Sequence, residues 1–270
     1  MSHVRFKGLV VGTIVAAGIV GAGFSRQASA QEFSYNGDTG PGFWSELNPE
    51  WEACSGDGFH ARQSPINIGK VRVDRHLGKL KLQLYPTEID IFNNGHTIEQ
   101  EYAETGSRIG FEGQDYELRQ FHFHTLSEHT VKGRHGVMEL HGVFQNDAGY
   151  LVVGQLFEVG GHRNALIQKL IQAGLPEKNG NTSEAGVEIN LTEVLTSTKR
   201  YYSYRGSLTT PACTETVTWV VLAQPAKVTV GQYEAFRVVL GNNFRPLQDL
   251  NGRSIRGSRH LPRHAGKAKR

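Results

Sequence analysis

The sequence predicts a mainly β protein, a single domain around a large, mostly antiparallel, twisted central sheet with short helices at its periphery. Short segments of alternating apolar and polar residues recur from residue 80 onwards, and turn residues such as Asn94-Gly95 and Ala148-Gly149 separate them. This alternation is typical of half-buried strands, and short turns are typical of antiparallel pairs. No linker rich in proline, serine or glycine and no long internal repeat interrupts the pattern, which indicates one domain.

The strand and helix patterns can be placed along the chain. The strand pattern covers residues 80–85, 88–93, 97–102, 108–111, 114–123, 137–145, 150–159 and 216–222. Helical periodicity is rarer: apolar residues recur at three- and four-residue steps only around residues 164–173 and 231–240. We therefore expect the helices to lie outside the sheet.

The first 30 residues have the pattern of a secretory signal peptide. Arg5 and Lys7 precede an apolar run over residues 9–24, and Ala28-Ser29-Ala30 supplies a small-residue cleavage site. A membrane anchor is the alternative, but the run is shorter than the roughly 20 residues that a span needs. We expect an exported protein with no stable membrane insertion after signal removal. The periplasm is the expected compartment, and release from the cell is the alternative.

Composition and charge limit the partners. The 270 residues are 38% hydrophobic and 20% charged, which is typical of a globular protein, and the formal net charge of +3 is too small to indicate nucleic acid. We expect a domain over residues 31–252 and a solvated basic tail over residues 253–270, with a polyanion-binding arm as the alternative. The basic residues of this tail are Arg253, Arg256, Arg259, Arg263, Lys267, Lys269 and Arg270. The sequence leaves a homodimer open.

The two cysteines, Cys54 and Cys213, are expected to form one disulfide. An exported protein meets oxidising conditions, in which an even number of cysteines tends to pair. Two buried free thiols are the alternative.

Three histidines predict a metal site. His122 and His124 lie one residue apart in an alternating strand, so their side chains share one face while Phe121 and Phe123 share the other. If the strand that contains His141 pairs alongside, three imidazoles meet and leave a fourth metal position open, as in catalytic zinc sites; a structural zinc would have that position filled. A single histidine in a strand is more often a core or surface residue, so the prediction depends on the group.

Two further side chains are expected to orient these histidines. Gln120 precedes His122 by two residues, and Glu139 precedes His141 by two residues, so each pair shares a strand face. The second ring nitrogen of a ligating histidine usually has a hydrogen-bond partner of this kind. Burying the Glu139 carboxylate costs free energy unless it is paired, which favours a contact with His141. The alternative is that Glu139 forms an ion pair with some other residue.

Longer motifs resemble the alpha-class carbonic anhydrases, in particular the exported bacterial type. The motifs are Gln120-Phe121-His122-Phe123-His124, Ser127-Glu128-His129-Thr130-Val131, Glu139-Leu140-His141 and Ser207-Leu208-Thr209-Thr210-Pro211, with Gly40-Pro41, Trp44, Gln63-Ser64-Pro65-Ile66-Asn67-Ile68, Asn93-Asn94-Gly95-His96, Val217-Thr218-Trp219 and Asn243-Phe244-Arg245-Pro246. The resemblance extends through most of the chain after residue 30. It implies the fold of that family and, as in its exported members, a disulfide between Cys54 and Cys213.

The resemblance also implies an activity, the zinc-dependent reversible hydration of carbon dioxide to bicarbonate and a proton. Zn²⁺ would be held by the three histidines, with Asn243 among the residues that support them, and a zinc-bound hydroxide would attack the substrate. Thr209 and Glu128 match the family's hydrogen-bonded pair that orients this hydroxide. A turn hydroxyl and an exposed acid are the alternative for these two residues.

A substrate pocket and a proton path are implied in the same way. Val143, Val152, Leu208 and Trp219 match the apolar pocket wall, although their spacing alone indicates only core residues, and Thr210 matches a polar position near bicarbonate. An apolar pocket suits a small apolar substrate.

His96 matches the family's proton shuttle, which suits a side chain that titrates near neutral pH. Tyr35, Asn94 and Glu99 match neighbours that order water along the path. Because Glu99 is an acid where many relatives carry an amide, we expect it to raise the pKa of His96. A plain surface histidine is the alternative for His96.

Two other classes of protein share parts of this pattern. His122-x-His124-x-x-x-Glu128 is also the metal motif of the cupins, iron or manganese oxygenases in which Glu128 would be a ligand. Cupins lack the segments at residues 63–65 and 208–211, and both are present here. A noncatalytic binding module on the carbonic anhydrase fold is the second alternative, but relatives of that kind have lost a zinc histidine, and all three are present.

Overall fold

The structure is a computed structural model that describes residues 33–58, 61–102 and 105–261. The expected signal peptide and the last part of the expected tail, residues 262–270, lie outside these ranges. The strands are β1 (Asn67–Ile68), β2 (Val71–Asp74), β3 (Lys81–Gln83), β4 (Thr87–Asn93), β5 (Ile98–Glu101), β6 (Arg108–Phe111), β7 (Gln114–His124), β8 (Thr130–Val131), β9 (Arg134–His135), β10 (Met138–Asn146), β11 (Gly149–Val159), β12 (Asn181–Ile189), β13 (Tyr201–Gly206), β14 (Val217–Leu222), β15 (Ala226–Val228) and β16 (Ile255–Ser258).

Helices are few and short. The α-helices are α1 (Trp44–Leu47), α2 (Ala165–Ala173) and α3 (Val230–Leu240), and short 3-10 helices cover Gly37–Thr39, Pro49–Ser55 and Leu191–Glu193. The patterns around residues 164–173 and 231–240 thus predicted α2 and α3 to within one residue at each end. Within the described ranges, no helix combines the length and the hydropathy that crossing a membrane requires.

Thirteen strands form one mixed sheet, in the order β12-β4-β5-β7-β10-β11-β14-β13-β16-β2, with β3, β6 and β15 attached beside this path. β1, β8 and β9 form a second, small sheet. Most pairs in the large sheet are antiparallel; β11 runs parallel to β14 and β15, and β16 runs parallel to β2. The prediction of a mainly β, mostly antiparallel fold with peripheral helices is confirmed.

Both faces of the central strands are buried, and each face has its own core. On one face Phe121 and Phe123 are fully buried, and Phe123 packs against Phe236 of α3 with ring centroids 4.7 Å apart. On the other face Val152 and Trp219 belong to a separate cluster. Because β10 and β11 contact protein on both sides, both are buried along most of their length, and β11 is apolar at most positions instead of alternating.

The two longer helices are fixed to each other at their N-termini. Asn164 caps α2 by accepting a hydrogen bond from the backbone of Ile167, and Thr229 with Gln232 forms a capping box on α3. The Gln232 side chain also accepts a bond from the Asn164 backbone N–H at 3.0 Å and donates one to its carbonyl at 2.9 Å. Helix ends that pair in this way leave fewer backbone groups unsatisfied.

Two long strands were not predicted. β12 is a polar edge strand with an irregularity between Glu184 and Glu188, so its sequence carries little apolar alternation. β13 contains Tyr201, Tyr202 and Tyr204, aromatic side chains that face both sides of the strand, and its period of two is not visible in the sequence. Pairing with neighbouring strands, rather than local pattern, defines both elements.

The expected start of the basic tail at residue 253 is wrong, because β16 lies inside the large sheet between β13 and β2. Its Arg256 donates to both carboxylate oxygens of Glu112, at 2.7 and 2.8 Å, and lies 3.6 Å from Asp74. A bidentate arginine-carboxylate contact holds this side chain in place. The folded domain therefore continues at least to residue 258.

The predicted disulfide between Cys54 and Cys213 is present. It closes a loop with a sequence separation of 159 residues, and both cysteines are buried beside Trp44 and Trp51. The Gln63 side chain adds a hydrogen bond to the Cys213 carbonyl at 3.1 Å. The disulfide thus joins the N-terminal helical segment to the loop that follows Thr210.

Replacing both Cys54 and Cys213 by alanine is expected to lower the free energy of unfolding by about 2 to 5 kcal/mol, because the unfolded chain gains the freedom of a long open loop. Urea unfolding of the parent and the variant measures the difference. A reducing agent should destabilise the parent and leave the variant unchanged. Equal stability of the two proteins under oxidising conditions would contradict the prediction.

Candidate metal centre

The pairing of β7 with β10 brings three histidines together. His122 and His124 point from β7 to one face, and His141 lies directly opposite His122 in the register of the two strands. The ring centroids are 5.1 Å apart for His122 and His124, 5.2 Å for His122 and His141, and 4.5 Å for His124 and His141. One ring nitrogen from each histidine lies within 4.8 Å of the other two.

Hydrogen bonds fix the orientation of the two histidines on β7. His122 Nδ1 is 2.7 Å from Gln120 Oε1, and His124 Nδ1 is 2.7 Å from the backbone carbonyl of Asn243. Both partners are acceptors, so both Nδ1 atoms carry the proton and both Nε2 atoms keep a free lone pair. The Gln120 amide is itself held, because it donates to Glu99 Oε2 at 2.9 Å.

In His141 the two ring nitrogens exchange roles, because Nε2 instead of Nδ1 faces the hydrogen-bonding partner. Its Nε2 lies 3.2 Å from Glu139 Oε1, while its Nδ1 lies 3.9 Å from Glu128 Oε2. His124 Nε2 is 3.7 Å from the same Glu128 oxygen. Nδ1 of His141 therefore faces the same region as Nε2 of His124, and it is the nitrogen available to a metal.

Glu139 belongs to a buried network that includes a histidine the sequence analysis did not assign. The backbone N–H of His129 donates to Glu139 Oε2 at 2.8 Å, and His129 Nδ1 is 2.8 Å from Glu139 Oε1. His129 Nε2 is hydrogen-bonded to the Tyr204 hydroxyl at 2.7 Å, which in turn bonds to Ser64 Oγ at 2.9 Å. The spacing of His129 from other histidines carries no metal signal, and only the fold reveals its partner.

Charge and burial act in opposite directions on this carboxylate. Burial alone would raise the pKa of Glu139, but the charges of His129 and His141 and the hydrogen bonds from both outweigh it and hold the pKa well below its usual range. Desolvation lowers the pKa of His122 to well below its ordinary value, with further lowering from His124 and His141, and it lowers the pKa of His124 as well. The neutral form, which metal binding requires, is therefore favoured for His122 and His124.

Unsatisfied polar atoms concentrate at this site. Of six buried side-chain polar atoms without a hydrogen-bond partner among the described residues, four lie here: Tyr35 Oη, His124 Nε2, Glu128 Oε2 and His141 Nε2. Burial of such groups without partners is costly, and few occur in folded proteins. His141 Nε2 faces Glu139 Oε1 at 3.2 Å, so of these atoms it is the inward-facing Nε2 of His124, beside the unpaired Glu128 oxygen, that fits a bound divalent cation such as Zn²⁺.

The Glu128 side chain is fixed by the backbone of the segment that contains Asn243 and Arg245. Its Oε1 accepts a hydrogen bond from the backbone N–H of Arg245 at 2.8 Å, and its Oε2 is directed towards His124 and His141. The hydrogen bonds of the described residues do not include one between Thr209 and Glu128. The expected pairing of these two side chains therefore stays a prediction.

A cavity of about 300 Å³ opens beside the histidines. Among the residues that line it are Gln120, His122, His141, Val143, Val152, Leu208, Thr209, Thr210 and Trp219. Trp219 is fixed by a hydrogen bond from its Nε1 to the Ser207 carbonyl at 2.9 Å. Arg119, Gln145 and Tyr150 also line the cavity and were not anticipated; Arg119 forms an ion pair with Glu117 at 3.1 Å.

His96 does not line this cavity but lies behind His124. The Asn243 side chain donates to the His96 carbonyl at 2.9 Å, and the imidazole of His96 stacks on Phe33 with ring centroids 3.8 Å apart. The backbone N–H of His96 donates to Asn94 Oδ1 at 2.9 Å. The backbone of His96 is thus fixed by hydrogen bonds from both sides, and its half-buried ring packs on Phe33.

Electrostatics around His96 differ from the sequence-based expectation. Burial, and then the charge of Lys178, lowers the pKa of His96, whereas we expected Glu99 to raise it. Glu99 is itself perturbed, since burial and the charge of Glu101 raise its pKa to about 7. Burial, and then the charge of Glu128, raises the pKa of Tyr35. With a pKa of about 7, Glu99 is only partly ionised at neutral pH.

The fold and the site together define a β-sheet protein with a three-histidine group that could hold a metal ion in the manner of a catalytic zinc site. Comparison with known proteins agrees with this class. The sequence model of the family of eukaryotic-type carbonic anhydrases matches residues 39–259. The chain therefore belongs to the eukaryotic-type, or alpha, carbonic anhydrases, and it is an enzyme of that lyase family.

Individual relatives are similar over most of their length. A carbonic anhydrase of Klebsiella pneumoniae is 38% identical over 229 residues, which cover 84% of this chain and 91% of that protein. The alpha-carbonic anhydrase of Photobacterium profundum aligns with a TM-score of 0.76 at 34% identity, covering 83% of this chain and 100% of that one. A hyperthermostable carbonic anhydrase from an active hydrothermal vent chimney aligns with a TM-score of 0.78 at 38% identity, covering 84% and 100%.

Replacing Glu139 by alanine is expected to lower the free energy of unfolding by about 3 to 5 kcal/mol, because the buried His129 loses the partner of its backbone and of its ring. Urea unfolding in the presence of a chelator measures this loss without a contribution from metal binding. Glu234→Ala is the control: Glu234 forms an exposed ion pair with Arg237 at 2.9 Å. This control should cost less than about 1 kcal/mol. A similarly small cost for Glu139→Ala would disprove the assigned role of the network.

Proposed function

We propose that this enzyme catalyses the reversible hydration of carbon dioxide to bicarbonate and a proton at a zinc ion held by His122, His124 and His141. The observation that carries the proposal is the convergence of three imidazole nitrogens within 4.8 Å of one another beside an apolar cavity. Zinc held by three neutral imidazoles lowers the pKa of the water that it binds to about 7, the value known for carbonic anhydrases, and so supplies hydroxide at neutral pH.

The surrounding side chains keep the ligands neutral and oriented. Gln120 and the Asn243 carbonyl accept the Nδ1 protons of His122 and His124, so both rings present Nε2 to the metal. Glu139 lies beside Nε2 of His141, so that ring presents Nδ1. These contacts determine the tautomer of each ligand before a metal binds.

Thr209 and Glu128 are proposed to orient the attacking oxygen. Thr209 lines the same cavity as His122 and His141, and Glu128 has an unpaired buried oxygen directed towards His124 and His141. A hydroxyl that accepts a hydrogen bond from the nucleophile and donates one to a carboxylate turns a lone pair towards the substrate. A shift of the Thr209 side chain towards Glu128 would complete this pair.

The cavity wall suits an uncharged substrate. Val143, Val152, Leu208 and Trp219 present apolar surface, which binds carbon dioxide without competing for hydrogen bonds. The Thr210 hydroxyl is a polar group at the same wall, available to the bicarbonate product. A wall of this kind also excludes much of the water that would otherwise surround the reacting atoms.

His96 is proposed to relay the proton to solvent. Its lowered pKa keeps the ring neutral at pH 7, which is the form that accepts a proton. Asn94 holds the turn that carries it. Glu99, whose carboxylate accepts a hydrogen bond from Gln120 beside His122, and Tyr35 are proposed to order the water along the path. The partly buried position of His96 places it between the interior and the surface.

Export to the periplasm is proposed for the mature protein. The disulfide between Cys54 and Cys213 supports this compartment, because disulfides persist mainly in oxidising environments. The cupin alternative finds no support in a fold with one large mixed sheet and a family match over residues 39–259.

The variant His122→Ala is expected to lose bound zinc and carbon dioxide hydration together, because two imidazoles hold the metal less tightly than three. Metal content by mass spectrometry and hydration by stopped flow test both. His162→Ala, which removes an exposed histidine far along the chain, is the control. Full activity of His122→Ala, or an active parent without zinc, would overturn the proposal.

The variant His96→Ala is expected to lower the maximal turnover on the order of tenfold, because proton release becomes slow, while kcat/KM for carbon dioxide stays unchanged. Added imidazole buffer should restore turnover by accepting the proton directly. A purely structural role of His96 would instead reduce kcat/KM as well and would not respond to imidazole.

A further inference from the structure

A second cavity, larger than the one at the metal centre, lies at the β8–β9 hairpin. Its volume is about 500 Å³, and it shares no lining residue with the first cavity. The hairpin forms one side, and Leu156, Leu222 and Pro225 from β11, β14 and the turn before β15 form the other. Its size falls within the range of small-molecule sites.

The charges in this wall are mainly positive and unpaired. Lys132 and Arg134 line the cavity, and neither side chain has an ion-pair or hydrogen-bond partner among the described residues. The carboxylate in the wall, Glu158, is already paired with Lys227 at 2.7 Å. The wall therefore offers two free cations to an anion.

The hairpin that carries these cations is rigidly attached. The Lys132 backbone N–H donates to the Ile68 carbonyl at 2.9 Å, and Asn67 Oδ1 accepts from the Gly133 backbone and the Thr130 hydroxyl, each at 2.9 Å. Lys132 and Gly133 have φ of 53° and 75°, the left-handed pair of a type I′ turn, where asparagine and glycine are favoured. The lysine at this position places a cation at the turn despite a small backbone cost.

We propose that this cavity binds a small amphiphilic carboxylate. The guanidinium of Arg134 matches the two oxygens of a carboxylate, and Lys132 adds a second charge. The apolar surface of Leu156, Leu222 and Pro225 suits an aromatic or aliphatic body that bicarbonate and inorganic anions lack. Binding at this site does not depend on the proposed zinc chemistry.

Benzoate is the probe, followed by amide chemical shifts in zinc-loaded full-length protein. Saturable shifts are expected at Lys132, Gly133 and Gly136. Any benzoate at the metal centre is recognised separately by shifts at Thr209 and Thr210. Benzamide, which has the same shape without charge, and inorganic phosphate, which has charge without an apolar body, should each bind at least about tenfold more weakly at the hairpin.

The double variant Lys132→Asn/Arg134→Gln should weaken benzoate binding at the hairpin about tenfold or more. Asparagine tolerates the left-handed conformation, so this variant should fold and keep the remaining amide spectrum. The double variant Arg75→Gln/Lys81→Gln removes two exposed cations elsewhere and should bind as the parent does. Absence of saturable shifts at the hairpin, equal binding of the two double variants, or equal binding of benzamide or phosphate would overturn the proposal.

Discussion

The register between β7 and β10 is the constraint on which the metal centre depends. His122 faces His141, and His124 faces Glu139, so one face of two strands collects the three histidines proposed to bind the metal and the carboxylate behind them. A slip of one residue would turn every side chain of a strand to the opposite face. The burial of Phe121 and Phe123 in the other core opposes such a slip. The apolar core therefore determines the geometry of the polar site.

The buried carboxylate of Glu139 imposes a second requirement, on β11. A Cβ atom at Gly154, which pairs with His141, would lie 2.6 Å from Glu139 Oε1, so a side chain there would collide with the carboxylate. Glycine leaves the space in which Glu139 reaches both His129 and His141. Residues on β7, β10 and β11 thus together accommodate one buried charge. Hydrogen bonds to both carboxylate oxygens offset the desolvation cost of this charge.

The sequence predicted what depends on local pattern and missed what depends on distant pairing. Alternation in β7 and helical periodicity in α2 were sufficient to place those elements, and the two-residue spacing placed Gln120 beside His122. By contrast, His129 meets Glu139 only because the chain turns back at the β8–β9 hairpin. Arg256 lies in the sheet because β16 pairs with β13 and β2, and its side chain meets Glu112 and Asp74 there. Neither partner is near in sequence, so no periodicity indicates it.

The segment between β7 and β10 connects the metal centre with the second cavity. Ser127 closes this segment: its backbone N–H donates to the Gly136 carbonyl at 3.1 Å, its hydroxyl accepts from the Gly136 N–H at 2.8 Å, and its carbonyl accepts from His135 Nδ1 at 2.7 Å. Glu128 and His129 follow Ser127 directly, while Lys132 and Arg134 lie at the tip. Since one closed loop carries both sets of residues, the contacts that hold Glu128 towards the histidines also fix the backbone from which the side chains of Lys132 and Arg134 extend, which lowers the ordering cost of binding at the proposed anion site.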